Sequence, residues 1–272
     1  MDNQQKIPSV QHQALTLPGV SNLLKRSWQI YKMRVGTFLG IMALPFIIGF
    51  LFLIPVEIGK TLNPIFAILL YIIFSLIVGI VGSWSQVSLL YAIKEREIRI
   101  GIKESFQRGW SKILPFIWIS ILGGFIATGG FLLFIVPAII FIVWFIFGTP
   151  VLVSEEHRGM NALLRSKQWV SGYWSKVFWR WLAITVIEAG IILFVKILKI
   201  PFAENIISLL ITPFSLTYSF LIYEDLKKLK GELPFEPPKR GTKIKFILVG
   251  IIGLLLILAT LFSIISTSLK KA

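Results

Sequence analysis

Long apolar stretches follow one another along the chain, and short polar segments separate them. A helix needs about 20 mostly apolar residues to cross the hydrocarbon layer of a bilayer. Backbone groups inside lipid must bond to one another, and no stretch alternates polar and apolar residues as barrel strands do. The pattern therefore predicts an all-α fold, a polytopic transmembrane helical bundle of about seven spans. The predicted spans are Phe38–Val56, Ile65–Ile93, Ile113–Gly129, Phe131–Val153, Trp181–Leu198, Ile206–Tyr223 and Phe246–Ser266.

Small residues predict where the spans turn and where they approach each other. The third and fourth stretches form one apolar block that is interrupted only at Gly129-Gly130, which predicts a tight helical hairpin there. Small side chains also let membrane helices come close together. The residues expected to do so are Gly79, Gly82, Gly123 and Ala127.

Interior prolines are candidate helix kinks in three of the spans, at Pro45, Pro137 and Pro213. Proline removes a backbone donor, and a broken helix can present carbonyl groups to a substrate at mid-membrane. Proline is also tolerated in spanning helices because neighbouring groups satisfy the freed carbonyls. A functional and a purely structural interpretation therefore both stay open.

Composition and charge exclude a soluble domain and predict the orientation of the chain. The chain is 56% hydrophobic and 15% charged, whereas soluble domains have roughly 45–50% and about 25%. It has 28 Lys+Arg against 13 Asp+Glu, and most of the basic residues lie in the N-terminal segment and in alternate loops. This asymmetry predicts a cell (plasma or inner) membrane protein with a cytoplasmic N-terminus and its C-terminus outside. A nucleic-acid binder would gather its charge on one folded face, so no nucleic-acid partner is expected.

Three similar polar segments precede the first, third and fifth spans. Each contains a serine followed two residues later by glutamine, at Ser27, Ser105 and Ser166, and the last two also share Trp-Ser-Lys. Their apolar residues recur at helical spacing, with basic residues on other faces, so each predicts an amphipathic interfacial helix. One such helix with a two-span hairpin would then form a unit that occurs three times. Any basic helix beside a span looks similar, so unrelated helices remain the alternative.

The predicted organisation follows from these units and from the polar segments between them. The first 19 residues are polar and are expected to form a disordered cytoplasmic tail. No cleavable signal peptide is apparent, so the first span is expected to direct membrane insertion. The remaining parts are a six-span domain over residues 20–230 (units at about 20–93, 98–153 and 159–223), a Pro-rich basic cytoplasmic linker over 231–245 and a C-terminal span over 246–272.

Basic and aromatic residues of the interfacial segments predict contact with anionic headgroups of the cytoplasmic leaflet, because such surfaces attract Lys and Arg and accommodate Trp. Membrane lipids are therefore the expected partners, and another membrane protein is a further possibility. The candidate interface residues are Lys25, Arg26, Trp28, Lys103, Arg108, Trp110, Lys112, Arg165, Lys167, Trp174 and Lys176.

Glu188 lies near the centre of the fifth predicted span, where an ionisable group is costly and by default indicates function. It is a candidate proton or cation site within the membrane. The alternative is a protonated carboxyl that bonds to a hydroxyl of another span or faces a wet cleft. Lys196 lies eight residues further, about 80° round the helix, and is not expected to pair with it.

The acidic residues after the fourth span are better explained by ion pairing than by metal binding. Glu155, Glu156 and His157 are consecutive, and consecutive side chains on a helix diverge by about 100°. One histidine and two adjacent carboxylates do not form a credible first shell. We expect Glu155 or Glu156 to pair with Arg158 or Arg165, or to stabilise the start of the next helix.

No enzyme motif is recognisable in the chain. A P-loop, HExxH, GxSxG or dinucleotide fingerprint is absent, and the lack of cysteine removes disulfides, thiolate metal sites and cysteine nucleophiles. The sequence predicts no catalytic residue, no cofactor and no metal site.

The segment Phe134–Phe178 carries an ordered set of short motifs: Pro137, Pro150–Val153, Glu155, Ala162–Ser166 and Gly172–Trp174. With Leu23–Met33 and Tyr223–Leu226, it resembles a family of bacterial and archaeal integral membrane proteins. That family includes the membrane domain of some glycerophosphodiester phosphodiesterases, and the resemblance covers most of residues 20–230. Ala138 stands where the family pattern has glycine, and no soluble stretch is long enough for the catalytic domain. The resemblance therefore implies the membrane portion without hydrolysis.

Two functional hypotheses follow. The first is a non-enzymatic integral membrane protein that interacts with lipid or with another protein. The second is a small transporter, channel or lipid-moving protein that uses Glu188 and the kinked spans. A closed, apolar bundle interior would favour the first, and a polar cavity that reaches Glu188 and opens to one side would favour the second.

Overall fold

The computed structural model describes residues 16–52, 55, 58–59, 64–200, 202–235, 237 and 240–271. Several predicted features therefore lie outside the described residues: positions 1–15 of the tail, most of 53–63 after the first span, and positions 236, 238 and 239 of the linker. Within the described residues the regular structure is helical and contains no strand.

The helices, in chain order, form a bundle whose longest members could cross a membrane. Seven helical stretches of the described chain are long and apolar enough to do so, which confirms the predicted all-α, seven-span architecture. The helices are α1 Val20–Leu51, α2 Pro64–Lys94, α3 Ile102–Trp110, α4 Ile113–Leu133, α5 Ile135–Phe145, α6 Gly148–Glu155, α7 Gly159–Val170, α8 Trp174–Ile197, α9 Ala203–Lys230 and α10 Arg240–Lys271.

Much of the buried core lies at one end of the bundle, which we call the basic end. It is formed by the starts of α1, α4, α8 and α10, the ends of α2, α6 and α9, and the short helices α3 and α7. Leu89, Leu152, Trp169 and Phe220 are all fully buried there. Away from this end, apolar residues of α2 such as Ile72 are exposed, as expected for a surface that faces lipid.

The interfacial segments differ in how they join their spans. The first is continuous with its span in α1, whereas α3 and α7 are separate helices. The break after α7 includes Gly172, whose φ of +79° is a conformation that side-chain-bearing residues rarely adopt. No comparable break occurs in α1, which continues as a helix through Gly36 and Gly40, neither of which has a positive φ.

The predicted hairpin is present, since α4 and α5 are consecutive and pack against each other, but its turn lies at Phe134 and not at Gly129-Gly130, because α4 continues to Leu133. The two glycines instead serve close helix packing. A Cβ on Gly130 would lie 2.9 Å from the Cα atom of Ala138 in α5, and one on Gly129 would collide with the carbonyl of Val249 in α10.

The small residues expected to bring helices together are mostly not the ones that do so. A Cβ added to Gly79 or Gly82 would meet nothing within 4 Å, and one on Gly123 would make only ordinary contact with Leu163. Close approach occurs where α10 packs along α4, because a Cβ on Gly253 would collide with the backbone of Phe125. The C-terminal span is thus packed closely into the bundle.

Of the three candidate kinks, Pro45 and Pro213 lie inside α1 and α9, and both helices continue through them. The carbonyl of Pro213 accepts a hydrogen bond from the Thr217 hydroxyl at 2.7 Å. Pro137 was wrongly expected to bend its span, because it stands in the first turn of α5, where a helix needs no N–H donor. The fourth span is interrupted instead between Phe145 and Gly148.

Ser166 of α7 occupies this interruption. Its hydroxyl donates to the carbonyl of Trp144 at 2.7 Å and accepts from the backbone N–H of Phe147 at 3.1 Å, so it satisfies groups that the break leaves free. Ser27 and Ser105 are also fully buried, but their hydroxyls bond to carbonyls of their own helical segments. The threefold repetition of the unit stays a prediction.

Replacing Ser166 with alanine is expected to lower the free energy of unfolding by about 1–3 kcal/mol, because two buried backbone groups lose their partner. Unfolding in mixed detergent micelles measures the change. Ser27→Ala is the matched control and should have little effect, because its hydroxyl bonds to a carbonyl one turn back in the same helix. Equal losses in the two variants would contradict this role of Ser166.

Candidate functional site

Glu188 is half-buried in α8, about 21 Å from the start of that helix at 1.5 Å per residue. It lines a cavity of about 330 Å³ between α8 and α9. We call this the Glu188 cavity. Besides Glu188, its polar lining includes the hydroxyl side chains of Thr185, Ser208, Thr212, Ser215 and Ser219, together with Trp181.

A polar stripe on α9 supplies most of these hydroxyls. Its members are spaced alternately by three and four residues, which places them on one face of the helix. This spacing is visible in the sequence, although the position of Glu188 alone does not indicate it. The stripe consists of Asn205, Ser208, Thr212, Ser215 and Ser219.

The carboxyl group of Glu188 has no partner among the described residues, neither a basic group within 4 Å nor a hydrogen-bond donor. The buried hydroxyl of Ser215, in the same cavity, also lacks a hydrogen-bond partner there. Lys196 lies 3.5 Å from Glu204, in agreement with the expectation that it does not pair with Glu188. The cavity therefore contains polar groups that the described protein leaves unsatisfied.

A larger cavity of about 710 Å³ lies between α1, α2 and α9. Its lining is mainly apolar and includes Pro45, Phe50 and Phe202. Ser208 and Thr212 line both this space and the Glu188 cavity. We call the two adjoining spaces together the α9 groove. It combines a polar part with a larger apolar part, and a face of α1 that includes one of the predicted kinks borders it.

Ion pairs join distant helices at the basic end. Arg26 of α1 reaches Asp225 of α9 at 2.7 Å, although 199 positions separate them. Arg96 binds both carboxylate oxygens of Glu224, at 2.8 and 2.9 Å. These bidentate contacts fix α1 and the end of α2 against the end of α9.

Glu155 forms the centre of a buried polar cluster. Its Oε2 accepts from Nε of Arg165 at 2.6 Å, which confirms the predicted pairing of these two residues. Its Oε1 accepts from the Tyr223 hydroxyl at 2.6 Å and from Nε1 of Trp169 at 2.7 Å. Nζ of Lys227 lies 3.8 Å from the same oxygen. Protein donors therefore surround both oxygens of this carboxylate.

The linker lies against this cluster through Arg165. The guanidinium donates to the carbonyls of Leu233 and Pro234 at 2.7 and 3.3 Å, and to Oε1 of Gln168 at 3.2 Å. Its side chain is only 7% exposed. Arg165, a predicted headgroup residue, is therefore turned into the protein and holds the linker.

Several other predicted headgroup residues are also engaged within the protein. Lys112 is buried and lies 3.2 Å from Glu156, and Arg26 is paired as described. Hydrogen bonds to Glu104 and Glu95 raise the pKa of the exposed Arg108. Burial lowers the pKa of Lys167.

Lys167 and Trp174 are partly buried, and the remaining interface candidates are exposed. The ammonium group of Lys167 lies over the rings of Trp144 and Phe246, at 4.1 and 5.1 Å, and so contacts both α5 and α10. Trp174 is half-buried and stacks on Phe178. The exposed candidates are Lys25, Trp28, Lys103, Trp110 and Lys176.

The three consecutive residues after the fourth span do not converge. Glu155 points into the buried cluster, whereas Glu156 is exposed and pairs with Lys112. His157 contacts the ring of Phe235, with ring centroids 4.1 Å apart. Burial lowers the pKa of His157, and the nearby Glu155 carboxylate opposes this only in part. Among the described residues, no group of three or more potential metal ligands comes together.

A scan against protein-family models, a search of curated proteins and a search of solved structures each gave no match to this chain. The α9 groove offers an unpaired carboxyl, several hydroxyls and an adjoining apolar space, which together can hold a molecule with a polar and an apolar part.

Proposed function

We propose that this multi-pass membrane protein is non-enzymatic and binds an amphiphilic molecule in the α9 groove, with Glu188 contacting the polar part of that molecule. The observation that carries the proposal is the unpartnered carboxyl of Glu188 in a hydroxyl-lined cavity that adjoins a larger apolar one. The proposal keeps the lipid interaction predicted from the sequence and assigns it to a groove within the bundle.

The chemistry of the groove favours an amphiphile that carries an amine or a hydroxyl group. A carboxyl in an apolar environment is costly unless it meets a cation or a hydrogen-bond donor. The hydroxyls of Thr185 and Thr212 donate to carbonyls of their own helices, so their oxygen lone pairs remain to accept from a ligand. The apolar part, at about 710 Å³, lies within the range of ordinary ligand pockets.

A small transporter, channel or lipid-moving protein is the second candidate, and the length of the polar stripe favours it. From Asn205 to Ser219 the stripe extends for about 21 Å along α9, a large part of the hydrocarbon thickness. A polar group that moves along this face would keep hydrogen-bonding partners. Transfer of a labelled lipid between the leaflets of reconstituted vesicles distinguishes movement from static binding.

We further propose that the basic end faces the cytoplasm of a cell membrane, with the N-terminus inside and the C-terminus outside. The loop distribution of Lys and Arg supports this orientation. Exposed Lys25, Lys103 and Lys176 would then lie near anionic headgroups. The resemblance to the membrane domain of glycerophosphodiester phosphodiesterases stays a prediction.

Glu188→Gln tests the proposed function. The probe is a phosphatidylethanolamine with a photoactivatable diazirine in its acyl chain, incorporated in vesicles with the full chain. We expect labelling of α1 and α9 peptides to fall about tenfold or more, because a charge-assisted hydrogen bond contributes about 1.5–3 kcal/mol.

Glu204→Gln is the matched control, because this exposed glutamate pairs only with exposed Lys196 among the described residues. Its labelling should equal that of the unaltered chain. Equal labelling of Glu188→Gln and the unaltered chain, or labelling spread evenly over all lipid-facing helices, would contradict the proposal.

A further inference from the structure

A third cavity, of about 560 Å³, lies at the basic end between the start of α4 and the turn that precedes α7. It is separate from the α9 groove and shares no lining residue with it. Its walls include large apolar side chains that the protein leaves uncovered. Trp110 is 64% exposed, Leu114 77% and Trp118 56%.

Arg158 supplies a positive charge at this cavity. Within the described part of the chain its side chain is exposed and has neither an ion-pair nor a hydrogen-bond partner. Arg26, Arg96 and Arg165 differ, because each binds a carboxylate. A guanidinium without an acidic partner is available to bind an external anion.

The cavity extends along the start of α4, from a polar part to an apolar part. Ser111 and Arg158 line its polar part, whereas Leu114 lies one residue and Trp118 five residues inside α4. At 1.5 Å per residue, Trp118 stands about 8 Å deeper than the start of that helix. Tryptophan at this depth is typical of the boundary between headgroups and acyl chains.

Close backbone packing fixes one wall of the cavity. Gly159 has a φ of +54°, and a Cβ at this position would lie 3.1–3.2 Å from the indole of Trp118. The glycine therefore lets the turn after Arg158 lie against the ring. Neither indole N–H, of Trp110 or of Trp118, has a protein acceptor among the described residues.

We propose that this cavity binds the phosphate group of an anionic phospholipid. Arg158 pairs with the phosphate oxygens, and a guanidinium can do so through two parallel hydrogen bonds. Ser111 and the indole N–H of Trp110 are further donors near the phosphate. The rings of Trp110 and Trp118, with Leu114, then flank the glycerol and the first acyl carbons. This site is independent of Glu188 and of the function proposed for the α9 groove.

Arg158→Gln tests the site in the purified full chain. Native mass spectrometry measures binding of palmitoyl-oleoyl phosphatidylglycerol, with the corresponding phosphatidylcholine as the zwitterionic comparison. We expect the affinity for phosphatidylglycerol to fall about tenfold, with Arg158→Lys in between. Arg99→Gln is the matched control, since Arg99 is exposed at the same end and does not line the cavity.

A second pair of variants uses the Trp-Ser-Lys motif, which occurs at the cavity and again at the start of α8. Trp110→Phe should weaken phosphatidylglycerol binding, because it removes an indole donor and contact area at the cavity. Trp174→Phe should not, because Trp174 stacks on Phe178 outside the cavity. Phosphatidylglycerol binding that is unchanged in Arg158→Gln, or equal binding of phosphatidylcholine, would overturn the proposal.

Competition with glycerol 3-phosphate tests whether the bound phosphate group belongs to a lipid or to a soluble compound. No displacement of bound phosphatidylglycerol at millimolar concentration supports a lipid ligand. Full displacement that also depends on Arg158 would overturn the lipid assignment and indicate a soluble phosphate compound.

Discussion

Glu155→Gln is expected to lower the free energy of unfolding by about 3–5 kcal/mol, the loss associated with removing one partner of a buried ion pair. The carboxylate binds Arg165, Tyr223 and Trp169 at 2.6–2.7 Å, so its loss affects three buried donors at once. Glutamine keeps the shape but loses the charge, and it brings two N–H donors into a ring of donors. Unfolding by SDS in mixed micelles measures the difference.

Glu97→Gln is the control for this prediction, because Glu97 is exposed near the end of α2 and should change stability by less than about 0.5 kcal/mol. Arg165→Gln and the double variant complete a mutant cycle. The sum of the losses in the two single variants should exceed the loss in the double variant by about 0.5–3 kcal/mol. Additive losses would mean that Glu155 and Arg165 do not act as a pair.

Gly129→Ala and Gly253→Ala are each expected to displace α10 from α4 and to lower the free energy of unfolding by about 1–3 kcal/mol. At both positions the new methyl group would collide with backbone of the facing helix, which cannot move aside as a side chain can. Gly79→Ala and Gly82→Ala are matched controls in a spanning helix. Nothing lies within 4 Å of a Cβ at those positions, so they should be neutral or slightly stabilising.

The absence of cysteine from the chain allows a direct measurement of α10 docking. A Cβ on Gly250 would lie 3.8 Å from Cβ of Phe125, a separation typical of disulfides. Cysteines at these two positions should therefore cross-link readily on oxidation. The yield should fall in Gly129→Ala and Gly253→Ala backgrounds but not in Gly79→Ala. Efficient cross-linking in every background would show that α10 tolerates the added methyl groups.

The number of candidate spans and their approximate positions could be predicted from sequence because hydropathy and length determine which segments can cross a bilayer. The role of each glycine could not be predicted from sequence, because a glycine pair is equally compatible with a turn and with a close crossing of two helices. Gly129-Gly130 illustrates the difference: both stand within α4, and the reversal occurs at Phe134. Deciding between the two requires knowledge of α10, whose contact with α4 no local pattern specifies.

The candidate site was predictable where the signal is local. Glu188 stands out because a lone carboxyl interrupts an apolar span, and the hydroxyl stripe of α9 follows a simple three-four spacing. The pairing of Arg26 with Asp225 is different, because 199 positions separate the residues and either could have met another charge. A basic residue that the helical pattern assigns to lipid headgroups can thus be paired with an acidic residue of a distant helix.

The hydrogen bonds between Arg165 and the linker can form only after the linker has been translated. Arg165 belongs to α7, but two of its acceptors are the carbonyls of Leu233 and Pro234, which the ribosome adds only after α8 and α9. Until then a buried guanidinium lacks these partners. The Glu155 cluster is therefore completed late, once most of the bundle has been translated and inserted. Complete assembly of the basic end therefore requires translation of the chain at least as far as Pro234.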